Sequence, residues 1–295
     1  MDSEAHHGTE TGGFMSEKKM VDYFTKDGVR HNPGDPEKST KNVVKGLTQK
    51  ERDAKFSKWF EEETHFLTYG HHEPISGKID EGKKGGSAIF TCDNITDEWY
   101  RWFFSVPGSM NPSANPGKLY GDRNSQGDRN VFTFDKRGVS VYFAASSPFQ
   151  EPDVRTITLT RRAPLLVPVY NVSASLQSYP SKDRSELAEM VKDDLLGVKG
   201  ETFEASFDQY NDPPLFGCCV VREEPITITN VPADNIFGIP EDRLRESNWT
   251  TETCHGGFWL LIKERFLTPG DHLLSFKAES VNYAINSKFH IRVLC

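Results

Sequence analysis

Three places in this sequence hold residue types that could do chemistry. Cys254 and His255 stand side by side, a thiol next to a base. A nucleophilic cysteine needs a base within reach and a third group that orients the base. Sequence neighbours seldom form that pair, and no orienting residue stands out nearby. Cys218 and Cys219 lie in an apolar run and read as small buried side chains. His65, His71 and His72 with Glu73 offer metal-ligand chemistry. Adjacent histidines on a strand point to opposite faces, so a polar loop explains them as well. The third place is a repeat. Gly121-Asp122-Arg123-Asn124 returns as Gly127-Asp128-Arg129-Asn130. Asp122, Asn124 and Gly127 echo the start of a calcium loop, with Asp128 as a further carboxylate. A calcium loop ends on a glutamate, and here that position is Thr133, so a pair of Asx turns is the competing reading. No nucleophile elbow and no phosphate-binding glycine loop occur. No cofactor is expected.

The element best placed to organise the chain is Asn94 to Gly117, NITDEWYRWFFSVPGSMNPSANPG. Thr96 is the expected N-cap, with Asp97 and Glu98 at the positive end of a helix. Trp99, Trp102 and Phe103 share one helical face, and Tyr100 and Phe104 the other. Such a segment is expected to be core, the plug of a β-rich domain. If instead exposed, Trp99, Tyr100 and Trp102 would make a ligand-binding platform for sugar rings.

Composition bounds the partners. The chain has 295 residues, 12% of them aromatic, and a formal net charge of −8. That charge argues against nucleic acid and against an anionic membrane surface. No apolar run approaches the ~18 residues of a membrane span. The acidic start MDSEAHHGTETGGF lacks the apolar core of a signal peptide, which favours an intracellular or assembly-associated location. The five cysteines are an odd count without a spacing pattern, so no structural disulfide is expected.

Residues 1–47 read as a polar, extended arm. Its apolar residues come in small clusters, Phe14-Met15, Met20-Val21 and Tyr23-Phe24, the pattern of a tail that lays anchors on a partner surface. Residues 48–86 read as a helix behind the capping box Thr48-Gln49-Lys50-Glu51, followed by a loop. From residue 87 to 295 the texture is one of short strands separated by Pro/Gly turns. Leu165–Tyr170 reads as a central strand. Leu187, Met190, Val191 and Leu195 mark a helix, and Phe289, Ile291, Val293 and Cys295 the inner face of a last strand. The expected fold is mainly β: an antiparallel sandwich, jelly-roll-like, with two or three short helices. The helix plug, Leu165–Tyr170 and the last strand are expected to share one core.

Several stretches carry a resemblance. They are Trp99–Pro107 with Asn111-Pro112, Ala163–Asn171, Pro232–Gly238, and Gly257–Leu261 with Pro269–His272. In order and spacing, residues 94–295 resemble an uncharacterised family of mostly secreted bacterial and archaeal β-rich proteins. The resemblance implies a β-rich fold and transfers no activity and no catalytic residue. Members of that family tend to carry cysteines where Tyr120–Gly127 and Ile157 stand here. Their absence fits a reducing compartment or an assembly that needs no staple.

The expected function is therefore a non-enzymatic structural or accessory subunit of a larger assembly, acting through protein partners or as a homo-oligomer. The alternative is a carbohydrate-binding module or carbohydrate-active enzyme that uses exposed Trp and Tyr.

Overall fold

The computed structural model describes residues 54, 75–76, 89–90, 92–113, 131–136, 139–146, 153–208, 215–280 and 284–294. The expected arm anchors Phe14, Met15, Met20, Val21, Tyr23 and Phe24 lie outside these residues. So do the candidate metal residues Asp122, Asn124 and Asp128 and the histidines at 65, 71 and 72.

The fold is mainly β and sandwich-like. One sheet has five strands in the order β3 (Val131–Lys136), β4 (Val139–Ala144), β6 (Leu165–Ser175), β9 (Thr250–Ile262), β8 (Leu215–Thr229). The other has four, in the order β5 (Asp153–Leu159), β11 (Ala284–Val293), β10 (Gly270–Ser280), β7 (Val198–Phe207). A small pair, β1 (Ile75–Ser76) and β2 (Ile89–Phe90), completes the strands among the described residues. Three helices are described: α1 (Cys92–Ser105), α2 (Arg184–Leu195) and α3 (Glu241–Glu246).

Both main sheets are mixed rather than purely antiparallel. β4 pairs parallel with β6, and β5 parallel with β11. The reason is topological. The chain leaves β4, places β5 in the other sheet and only then returns to β6, and such a crossover lets two strands run the same way.

The apolar residues form two cores, one on each face of the five-stranded sheet. Leu165, Val167, Phe258, Leu260 and Ile262 face the four-stranded sheet and α2, where they meet Phe276, Phe289, Ile291, Leu187 and Val191. Val141, Phe143, Leu166, Trp259 and Leu261 face the other way, onto α1. The aromatic helix is therefore an outer layer, not a plug between sheets, and it shares no core with the last strand. Strand alternation decides this. Leu165 and Leu166 are neighbours in sequence and belong to different cores.

α1 also begins earlier than its capping signals suggest. It starts at Cys92, so Thr96 is a fully buried interior residue and not the N-cap. α2 matches its signals more closely: Asp183 accepts from the Glu186 amide, and the Glu186 carboxylate accepts from the Asp183 amide. Pro168 fits in the middle of β6 because a bulge lies between Pro168 and Tyr170, and a bulge removes the need for a ladder donor. What reads as two strands, Leu215–Val221 and Pro225–Thr229, is one strand with a bulge between Arg222 and Ile226.

Gly256 and Gly257 let three elements crowd together. A Cβ on Gly257 would lie 2.4 Å from the Tyr170 carbonyl oxygen and 2.8 Å from Asn171 Cα. Both are backbone atoms and cannot swing aside. A Cβ on Gly256 would meet Leu195 Cδ1 at 2.8 Å and the Val220 carbonyl at 3.0 Å. Gly257→Ala should therefore destabilise by about 2–3 kcal/mol, the range of core overpacking. Gly256→Ala should cost less, since a leucine methyl can rotate away. Urea titration of both variants checks the order, and an unaffected Gly257→Ala would contradict the close approach of β6 and β9.

Candidate functional site

His255 is central to a buried polar group that links three strands to a helix. It sits on β9 and its side chain is fully buried beneath α1. Its Nε2 lies 2.8 Å from Asp97 Oδ1. The second Asp97 oxygen accepts from Arg222 Nη2 at 2.9 Å. Arg222 is directly opposite His255 on β8. The Tyr100 ring covers the imidazole with 4.1 Å between centroids. Tyr100 in turn donates its hydroxyl to the Val172 carbonyl at 2.8 Å and accepts from Asn171 Nδ2 at 3.3 Å. One turn of α1 thus touches β9, β8 and β6 through polar contacts.

The electrostatics follow from burial. Removal from water pulls the His255 pKa down, and the Asp97 hydrogen bond opposes this only in part. The ring is neutral, carries its proton on Nε2 and donates it to Asp97. Nδ1 has no partner among the described residues. Asp97 also pairs with Arg222, whose side chain is one-third exposed and is where this cluster meets solvent. The imidazole is neutral and sealed from solvent. The group fastens a helix to a sheet.

Cys254 does not join it. It occupies the opposite face of β9, in the core that includes α2, and its Sγ is 3.8 Å from the Arg184 carbonyl. Burial pushes its thiol up to about 11, so it is neither a thiolate nor near the His255 ring. It forms no disulfide; the other four cysteine side chains are outside the described ones.

Trp99, Tyr100 and Trp102 are 1%, 1% and 7% exposed. Their ring faces are taken. Trp99 stacks on Phe103 at 4.4 Å and meets Trp259 edge-on at 4.9 Å, and Trp102 leans on Phe143 at 6.0 Å. An exposed sugar platform is therefore not formed by these three residues. Asp97 is also corrected: it is a buried anchor and not a dipole-capping residue.

An open groove lies on the α2 side of the same two strands. It has a volume of about 670 Å³ and runs between α2 and β8, lined by Arg184, Glu189, Lys192, Glu224, Thr227 and Glu252, among others. The β8 bulge supplies Glu224 and Pro225 to its rim. Arg184 grips Glu252 with two bonds of 2.7 Å. Lys192 holds Glu189 at 3.2 Å. The N-terminus of α2 is closed by its own capping box, so the groove offers no vacant anion cradle there.

Sequence reasoning missed this groove and the His255 cluster. Asp97 and His255 are 158 positions apart, and no local pattern links them. It also missed α3, for which signals exist: Pro240 precedes Glu241 and Asp242, and Glu241 pairs with Arg245 one turn on. The chain bends at Pro232–Asn235, and Asn235 locks the bend: its Oδ1 accepts from the Phe237 and Ile239 amides.

Among the described residues no group of three or more His, Cys, Asp or Glu side chains is arranged to hold a metal ion, and no helix is long and apolar enough to cross a membrane. No protein-family model matches the chain, and neither the curated proteins nor the solved structures contain a match.

Proposed function

We propose that this chain works through protein contacts, as a structural or accessory subunit of a larger assembly, and that a partner segment lies in the groove between α2 and β8. The groove is the observation that carries the reading. It is open, lined by charged side chains with an apolar share between them, and crossed by ion pairs, which suits an extended polypeptide better than a small molecule that must be shielded from water. Among the described strands β8 is the outer one of its sheet, so the groove runs beside a sheet edge. The reactive groups near it are engaged: His255 and Cys254 are buried, and Arg184 and Lys192 are paired. The likeness to the secreted β-rich family adds no activity to this reading.

The test uses the full chain purified from its native source, as wild type and as Arg184→Glu. The Arg184–Glu252 pair is on the surface, so its loss should change stability by no more than ~1 kcal/mol. Sedimentation velocity should show the wild type in a discrete, stoichiometric complex or oligomer that the variant fails to form. A wild type that sediments as a lone monomer at high concentration would overturn the proposal, and so would a complex that survives the charge reversal unchanged.

A further inference from the structure

His272 is the third residue of β10, and both of its ring nitrogens face oxygen. Nδ1 is 2.8 Å from Asp208 Oδ2, and Nε2 is 2.7 Å from the Thr268 carbonyl. A carbonyl can only accept, and an ionised carboxylate can only accept. A neutral imidazole has one N–H, so in that form one of the two contacts would set a lone pair against an oxygen. The geometry is satisfied by the imidazolium.

Asp208 is the residue that closes β7. It has a φ of 55°, a left-handed conformation that aspartate tolerates better than most residues. Three bonds hold it there. Its amide donates to the Leu273 carbonyl at 2.7 Å, its Oδ1 accepts from the Leu273 amide at 2.8 Å, and its Oδ2 meets His272. Phe207 stacks on the imidazole with 5.3 Å between centroids and 14° between planes. β7 is the outer strand of the four-stranded sheet, so among the described strands its end is paired with β10 alone.

We propose that His272 is a proton-dependent latch on the edge strand β7: charged, it clamps the end of β7 to β10, and on losing its proton it lets that end open. Opening would uncover the ladder groups of β10 near Leu274, the partner of Phe207, and give the sheet a new pairing edge.

The charges around the ring favour the clamped form. Asp208 faces it from β7. Asp271 precedes it on β10 and is itself paired with Arg292 of β11 at 2.8 Å, which tempers its pull. Ile291 stands opposite His272 on β11, and His290 stands opposite Leu273. The Glu204–Lys277 pair lies further along the β7–β10 ladder and is self-compensated. Partial burial alone would pull the His272 pKa down, but the bonds to Asp208 and Thr268 outweigh it and the value is raised. A raised folded-state pKa means that the latch is fully engaged below the ordinary histidine value of about 6.5 and is lost as pH rises through the folded value. The opening therefore belongs to the neutral-to-alkaline side.

The experiment is an NMR titration of the His272 ring in the full chain, together with hydrogen exchange at the Asp208 and Leu273 amides across the same pH range. The ring should titrate above ~6.5, and amide protection, corrected for intrinsic exchange, should fall about tenfold for each unit of upward shift. Asp208→Asn should return the midpoint toward the ordinary value. His272→Gln should give low protection that no longer follows pH. A ring that titrates at or below ~6.5, or protection that ignores the titration, would overturn the latch. If His272→Gln does not fold, the wild-type titration and Asp208→Asn still decide.

Discussion

Asp97→Ala should lower the stability of the fold by about 2–4 kcal/mol, since it orphans a fully buried histidine donor and breaks a part-buried ion pair. The carboxylate accepts from His255 on one oxygen and Arg222 on the other. Without it, a fully buried ring N–H and a guanidinium N–H lose their acceptor together, and α1 loses its polar attachment to β8 and β9. Leaving donors buried and unpaired is more damaging than removing the whole group. Replacing the cluster by apolar residues, Asp97→Leu with His255→Leu and Arg222→Met, should recover a large part of the loss. Urea titration of the single and triple variants measures both. A single-variant loss below ~1 kcal/mol would mean that water satisfies the orphaned donors and that the cluster is more open than its burial implies.

Trp99→Ala should be at least as damaging, at about 3–5 kcal/mol. The indole is 1% exposed, stacks on Phe103 and meets Trp259, Tyr100 and Trp102 edge-on. It also donates Nε1–H to the Ala144 carbonyl at 2.8 Å, so truncation opens a cavity and orphans an acceptor at once. Trp99→Phe should lose much less, since it keeps most of the volume and the stack. Near-ultraviolet circular dichroism should flatten with the alanine variant, because Trp99 couples to so many rings. Denaturant titration with retention of more than nine-tenths of wild-type stability would show that the outer core does not depend on this ring.

The mainly β fold was legible in the strands' alternation. Phe289, Ile291 and Val293 face inward and Lys288, His290 and Arg292 outward, as period-two patterning requires. The α2 stripe was legible for the same reason at helical period, with Leu187, Val191 and Leu195 buried. What could not be read is which face of a doubly covered sheet each residue serves. β9 is buried along nearly its whole length, so its alternation between two cores leaves no polar mark in the sequence. The candidate site failed to show for a different reason. Thr96, Asp97 and Glu98 carry a strong local capping signal, and the distant partners of Asp97 override it.

The helix α1 is made long before the strands that cover it. Val141, Phe143 and Leu166 follow it closely in the chain, but His255, Trp259 and Leu261 come some 150 positions later. At a synthesis rate of roughly 5–20 residues per second, the aromatic faces of α1 wait about 8–30 s for β9 to emerge. A nascent chain stopped within that interval carries a helix with Trp99, Trp102, Phe103 and Phe104 still seeking a surface, which makes it a natural client for chaperones that bind apolar segments.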